Sequence, residues 1–367
     1  MYSGTDLYFF KAEAVEEFKE KGKFIINDTF PENSMSAPLI FQLAITDKCN
    51  IHCFNCYNWE NGCCYKNKEL STSQKKELID YLVDWGVLFL QWSGGEPFLA
   101  RDLVELVEYA KRKNLTQSLL TNGLLLSNKE NAEWASRVFQ RVQISFNAVD
   151  RFKEWTGTNF LGTLIKGMKN LSECCMTRGT SFNITTTIND ISLSEIEKIA
   201  FLVNEINPTH WRIGEEIPLG RANTQDNHME LLERSYQIFL KLKRKYRRKN
   251  WHHCFEVSVA DPLMPVEWQS SSAGRTMLYM SANGVIYPFP YLKMPEFELG
   301  RYPQDDLKKV WYDSERLRNL RSVGYNQTLC AGCKNICVRW AREINYHFNK
   351  DLFESPTPFT NCPRLKK

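Results

Sequence analysis

The sequence predicts an α/β protein built on a parallel, partial (β/α)6 barrel with a small cysteine-rich region behind it. Three observations carry this expectation. Apolar, β-rich runs alternate with helically periodic segments from about residue 39 to 213. Six such runs can be read there, short of the eight that close a (β/α)8 barrel. From about residue 270 the pattern changes to short strands, turns and late cysteines.

The predicted strands are "LIFQLAIT" (39–46), "VLFLQW" (87–92), "QSLLT" (117–121), "VQISF" (142–146), "FNITTTI" (182–188) and "HWRI" (210–213). Between them "SQKKELIDYLVDWG", "LVELVEYAKRK", "NAEWASRV", "TLIKGMKNLSEC" and "LSEIEKIAFLVNEI" repeat apolar residues at helical spacing. That alternation means βαβ units, a parallel sheet and right-handed crossovers. A long helix is predicted over about 228–249, and its basic end "KLKRKYRRKN" reads as a solvated face. "SANGVIYPFPY" predicts a small hairpin around an Asn-Gly turn. The chain then divides into an extension (1–38), the barrel (39–225), a bridge (226–269) and a C-terminal domain (270–367).

Composition narrows the function classes. The chain has 367 residues, 43% of them hydrophobic and 25% charged, ordinary for a globular protein with a real core. A net charge of +4 is too mild to imply nucleic-acid binding. The acidic start "MYSGTDLYFFKAEAVEEFKEKGKF" lacks the apolar run of a signal peptide. No stretch approaches the roughly 18 apolar residues of a membrane span. A cytoplasmic location is expected. Twelve cysteines are many for a reducing compartment, and their clustering favours metal or redox chemistry over disulfides.

The first cluster, "TDKCNIHCFNCYN" (46–58), holds Cys49, Cys53 and Cys56 at C-x3-C-x2-C spacing directly after the first strand. In βα barrels such a loop lies on the C-terminal face, where active sites gather. Three thiolates can hold three irons of a cubane and leave the fourth open. A zinc knuckle completed by His52 or a later cysteine is the alternative on spacing alone. The next strand ends supply polar groups to the same rim. They are Gly94, Gly95 and Glu96 in "LQWSGGEPFL", Thr121 and Asn122 in "LLTNG", and Ser145 and Asn147 in "ISFNAVD". Two glycines allow close backbone approach, and Glu96 offers a carboxylate to an ammonium group.

C-x3-C-x2-C after the first strand, followed by GGE after the second, resembles the radical S-adenosylmethionine (SAM) superfamily. The resemblance implies a 4Fe–4S cluster on Cys49, Cys53 and Cys56, with its open iron chelated by the amino and carboxylate groups of SAM. Gly94, Gly95 and Glu96 match the segment that meets the methionine ammonium, with Asn122 on the same rim. Ser145 matches a serine near the ribose or carboxylate, and Thr187 or Arg212 would assist. Two positions depart from the usual pattern. Asn55 stands where an aromatic residue often precedes the third cysteine, and Ser145-Phe146-Asn147 replaces "SLD".

The late cysteines Cys330, Cys333, Cys337 and Cys362 make a complete set of four. Alone they equally suit structural zinc. With "IPLGRA" (217–222) and "AGRTMLYMSANGVIYPFPYL" (273–292) they resemble the SPASM extension of radical SAM enzymes. Thiols usual for its first auxiliary cluster are absent: Ser271 and Ser272 precede "AGR", Pro288-Phe289 stands for "PC", and "VRWARE" follows Cys337. The resemblance therefore implies one auxiliary 4Fe–4S cluster.

Cys63 and Cys64 are candidate hydrogen-atom donors, with simple packing as the alternative. Cys174 and Cys175 at a helix end, and Cys254 at an expected strand start, read as structural. The expected activity is reductive cleavage of SAM to a 5′-deoxyadenosyl radical that abstracts hydrogen from a ribosomally made peptide, leading to epimerisation or cross-linking. The alternatives are radical dehydrogenation, decarboxylation or rearrangement of a small molecule (a sugar, antibiotic intermediate or tetrapyrrole precursor) and a non-catalytic zinc-binding adaptor. An external one-electron donor of flavodoxin or ferredoxin type is implied. Only 38 residues precede the first strand, fewer than a fused leader-binding domain needs, so a separate leader-peptide-binding protein is expected.

Overall fold

The computed structural model describes residues 36–58, 68–217, 219–222, 228–254 and 273–322. Six strands come in chain order and pair in parallel with their neighbours: β1 (Ile40–Thr46), β2 (Phe89–Gly94), β3 (Thr116–Thr121), β4 (Arg141–Ser145), β5 (Ser181–Ile188) and β6 (His210–Glu215). Helices α1 (Thr72–Trp85), α2 (Leu103–Arg112), α3 (Lys129–Val138), α4 (Phe152–Thr156), α5 (Leu161–Arg178), α6 (Asp190–Ser194) and α7 (Ile196–Ile206) fill the crossovers. The predicted strands and helices are all present, and the sheet is that of a partial α/β barrel.

The sheet continues past both ends of the six. After α8 (His228–Lys245), strand β7 (Trp251–His253) pairs in parallel with β6. On the other edge β8 (Met277–Met280) pairs in parallel with β1, and β9 (Val285–Tyr287) and β10 (Gly300–Arg301) follow it antiparallel. The order is β10-β9-β8-β1-β2-β3-β4-β5-β6-β7, open at its ends. The expected hairpin is thus β8–β9, with Gly284 at φ +87 in its turn, and it extends the barrel sheet itself. Helices α9 (Leu307–Asp313) and α10 (Glu315–Ser322) close the described part.

Strand alternation sorts the side chains by chemistry. One face of the strands, including Leu43, Leu90, Trp92, Leu119, Ile144 and Ile213, joins helix residues such as Leu78, Leu106, Ala135, Leu171 and Val203 in one apolar core. Burying a Leu or Ile side chain contributes about 1.5–3 kcal/mol. The alternate residues Gln143, Ser145, Thr185, Thr187, Arg212 and Gly214 line a cavity instead. Caps set the helix ends: Ser71 and Gln74 form a capping box on α1, and Gly86 at φ +92 ends it.

Cys254 follows β7, with its N–H bonded to Ile213 O at 2.8 Å, and the strand expected to start there lies outside the described residues. One detail differs from expectation. The basic helix α8 stops at Lys245, with Arg247 left-handed at φ +54. Lys241, Arg244, Lys245, Arg247 and Lys249 are exposed there, as a solvated face requires. Cys174 and Cys175 are buried in α5. No helix among the described residues is long and apolar enough to cross a membrane.

Candidate active site

The loop after β1 carries Cys49, Cys53 and Cys56, all unpaired as disulfides and half-buried. All three line one cavity of about 450 Å3, within the roughly 300–1,000 Å3 typical of small-molecule sites. Gly94, Gly95, Asn122, Ser145, Thr187 and Arg212 line the same cavity. Five strand ends, β2–β6, and the loop after β1 therefore bring together every described site residue expected from the sequence except Glu96. Cys63, Cys64, Cys330, Cys333, Cys337 and Cys362 lie outside the described residues.

The glycines serve the loop before they serve any ligand. A Cβ on Gly95 would stand 2.3 Å from Lys48 O and 2.6 Å from Asp47 O, and one on Gly94 2.2 Å from Thr46 O. Their lack of side chains lets the end of β2 dock on the cysteine loop through Gly95 N–H to Thr46 O (2.8 Å) and Glu96 N–H to Lys48 O (2.7 Å). The close approach expected toward a ligand is made toward Cys49's own loop.

Glu96 is fully buried behind that wall. Its carboxylate accepts from Thr121 Oγ1 (2.8 Å), Asn122 N–H (2.8 Å) and Phe98 N–H (3.2 Å). It caps the 3-10 turn Pro97–Leu99 and ties the ends of β2 and β3 together. Burial pushes its carboxyl up to about 7, against the pull of the Asn122, Thr121 and Phe98 donors. The Glu-Pro pair, an N-cap before a proline at N1, is the sequence signal for this capping role. Asn122 in turn donates to Asn50 Oδ1 at 2.7 Å, with Cys49 Sγ 4.0 Å from the same nitrogen. Asn147 Oδ1 accepts from Thr187 N–H at 2.7 Å, which fixes the ends of β4 and β5.

Other contacts that the motifs did not announce hold the cysteine loop. His52 N–H bonds to Thr156 O (2.8 Å) and Phe54 N–H to Trp155 O (3.0 Å), while the Phe54 and Trp155 rings meet edge to face at 4.8 Å. On the opposite side Arg221 N–H bonds to Cys56 O at 3.1 Å, and the Arg221 guanidinium reaches His52. Asn58 Nδ2 donates to Gly94 O at 2.9 Å, Asn58 Oδ1 accepts from Lys293 Nζ at 3.1 Å, and Tyr57 packs against Tyr291. The signal for Arg221 is Gly220 in "IPLGRA": at φ +67, a Cβ there would stand 2.3 Å from Cys56 O.

The thiols are desolvated. Burial pushes Cys53 up to about 12, the Cys56 and Cys49 thiols adding to it and Arg221 opposing. Burial raises Cys49 as well. Loading with metal therefore has to release protons from these groups.

Comparison with known proteins agrees with this site. The family model described as the radical SAM superfamily matches residues 43–203, the span that runs from the cysteine loop through α7. The matched span has the character of a radical SAM domain. An AdoMet-dependent heme synthase of Methanosarcina barkeri is 24% identical over 324 residues, covering 83% of this chain and 91% of that one. The mycofactocin maturase MftC of Mycolicibacterium smegmatis is 26% identical over 310 residues, covering 82% and 77%. Among solved structures, Streptococcus suis SuiB bound to its precursor peptide SuiA superposes with a TM-score of 0.65 at 17% identity, over 84% of this chain and 70% of that one. The last likeness bears on the fold.

The radical SAM match implies SAM and a 4Fe–4S cluster, and the donor set fits. Among the described residues, no three His, Cys, Asp or Glu side chains close around a single metal ion. Around one zinc, three sulfurs would crowd to roughly 3.8 Å from one another. Cys49, Cys53 and Cys56 instead stand around one cavity rim, as suits a cluster in which each thiolate takes its own iron. His52, the fourth zinc ligand of the alternative reading, is engaged with Arg221.

Proposed function

We propose that the protein cleaves SAM reductively and uses the resulting radical to abstract hydrogen from a ribosomally made peptide. The observation that carries this is the cavity rimmed by Cys49, Cys53 and Cys56 and floored by the ends of β2–β6. Cluster and SAM together would supply a 5′-deoxyadenosyl radical. The chain's own residues do the rest. Three thiolates anchor the cluster and leave one iron position free. Asn122, Ser145, Thr187 and Arg212 offer donors and a cation to the ribose and carboxylate of SAM. Glu96, placed behind the cavity wall, adds negative potential where the methionine ammonium would lie. The end of β2, docked backbone to backbone on the cysteine loop, walls that side of the cavity.

The peptide reading is supported by the names of two relatives: MftC is a maturase, and SuiB binds a precursor peptide. In this reading residues 39–225 carry the radical chemistry, and Cys330, Cys333, Cys337 and Cys362 hold one auxiliary 4Fe–4S cluster in 270–367. A flavodoxin- or ferredoxin-type donor supplies the electron, and a separate protein presents the leader peptide. Cys63 and Cys64 stay candidates for returning a hydrogen atom. A second reading, radical decarboxylation of a tetrapyrrole, is favoured by the heme synthase match, which covers 91% of that relative. The experiment is anaerobic turnover with SAM, a one-electron reductant and a deuterated precursor peptide encoded beside the gene. Deuterium in 5′-deoxyadenosine supports the first reading. Deuterium arriving only from a deuterated iron tetrapyrrole replaces it with the second.

A further inference from the structure

The loop after β6 closes over the cysteine loop and delivers a cation to it. Gly220, at φ +67, lies so close to Cys56 O that a Cβ there would stand 2.3 Å away, and it presses on the main chain of Tyr57 as well. The next residue, Arg221, donates its main-chain N–H to the same carbonyl at 3.1 Å. A turn of the loop's own, Ala222 N–H to Leu219 O at 3.2 Å, holds this stretch in shape. From that anchor the Arg221 side chain reaches the ring of His52. His52 is fixed from the other side through its N–H to Thr156 O at 2.8 Å. Arg221 is therefore tied to the loop at two points, the carbonyl of Cys56 and the residue just before Cys53.

The contact with His52 does not cancel the charge. A guanidinium stays protonated at any working pH, and an imidazole nitrogen that accepts from it is unprotonated. Among the described residues lining the cavity, Arg212 and Arg221 carry permanent positive charge, facing Asp47, Glu215 and Glu216. Arg212 belongs to β6, whereas Arg221 is bonded to the cysteine loop itself. Arg221 is half-buried with its Nε enclosed, so salt screens it less than a surface charge. A cluster held by thiolates is negative and becomes more so on gaining an electron, and nearby charge is one of the levers on its potential.

We propose that Arg221 is a positioning residue of the cluster site: its fixed positive charge, strapped along the Cys53–Cys56 turn, raises the potential at which the cluster takes one electron from the external donor. The inference rests on the reading that Cys49, Cys53 and Cys56 hold that cluster. It gives Gly220 a purpose, since only a residue without a side chain lets Arg221 dock on Cys56 O.

The test separates charge from structure. Arg221→Gln keeps hydrogen-bond donors and loses the charge, and Arg221→Lys keeps the charge. Both retain the main-chain N–H on Cys56 O, so the loop stays docked and the cluster should load. Full-length, anaerobically reconstituted proteins are compared for iron content, melting temperature and midpoint potential. The potential is read by EPR-monitored redox titration of the cluster whose reduced signal changes when SAM is added. Arg221→Gln should be about tenfold harder to reduce, equivalent to a midpoint about 59 mV lower for a one-electron couple. Arg221→Lys should stay within about threefold of the parent. Arg221→Met is the second uncharged variant, and it should match Arg221→Gln. Uncharged variants within threefold of the parent overturn the proposal. So does Arg221→Lys falling as far as Arg221→Gln, or losses confined to iron content and melting temperature. A parent with no SAM-responsive cluster signal overturns the underlying reading as well. A normal parent with indifferent variants overturns the role of Arg221 alone.

Discussion

Replacing Gly95 with alanine tests why two glycines end β2. The added Cβ would stand 2.3 Å from Lys48 O and 2.6 Å from Asp47 O, roughly 1 Å inside comfortable carbon–oxygen contact. Both neighbours are backbone carbonyls, so no side chain can swing aside. Either the end of β2 or residues 46–49 must move. The movement breaks Gly95 N–H to Thr46 O (2.8 Å) and Glu96 N–H to Lys48 O (2.7 Å). Each orphaned group costs about 1–3 kcal/mol, which puts the loss of folding stability at about 2–4 kcal/mol. The same displacement carries Cys49, so iron retention after anaerobic reconstitution should fall with stability. Urea unfolding and iron per chain are the two readouts. Gly162→Ala is the control, because nothing lies within 4 Å of a Cβ at that helical position, and it should stabilise by up to about 1 kcal/mol. Wild-type stability and iron in Gly95→Ala would refute the docking argument and return the glycines to ligand approach.

Further outcomes follow from the same geometry. The Glu96 carboxyl is raised from 4.5 to about 7 by burial. Its contribution to stability is therefore fully present below pH 4.5 and lost as pH rises through about 7, a change of about 3 kcal/mol. Glu96→Gln should flatten the wild-type decline between pH 5 and pH 8 in urea unfolding, and an equally steep decline in the variant would contradict the assignment. The same substitution should weaken SAM binding while leaving cluster content nearly intact. For the auxiliary site, reconstituted protein should hold about eight irons and the Cys49, Cys53, Cys56 triple variant about four. Adding Cys330→Ala and Cys333→Ala should remove those four, whereas zinc in the triple variant would make the tail structural.

Much of this architecture is legible from sequence because a βα barrel is local in its signals. "LIFQLAIT" and the five runs after it are bounded by their own turns, and the structure places each start and end within about two residues of the expected limits. Edge pairing is not local. Nothing in "TMLYM" says that Met277–Met280 will lie parallel to Ile40–Leu43, since that choice depends on which sheet edge stands open after the chain returns. The cavity residues were legible as types at strand ends, because the C-terminal ends of parallel barrel strands share one rim. Glu96 was misleading in direction. Its partners Thr121 and Asn122 are some 25 residues away, and only their arrival shows the carboxylate to be enclosed. Glu216 was invisible for the same reason: its bond from Asn189 Nδ2 at 2.9 Å joins two strand ends with no shared spacing.

The most direct test of the central claim is anaerobic SAM cleavage with a one-electron reductant, in the parent and in Cys53→Ala, with 5′-deoxyadenosine and methionine measured together. Three thiolates are the minimum that anchors a cubane while leaving one iron position for SAM. The parent should therefore form both products in equal amounts, and Cys53→Ala should form neither above background. Formation of 5′-deoxyadenosine by Cys53→Ala at the parent's rate would contradict the assignment of this loop.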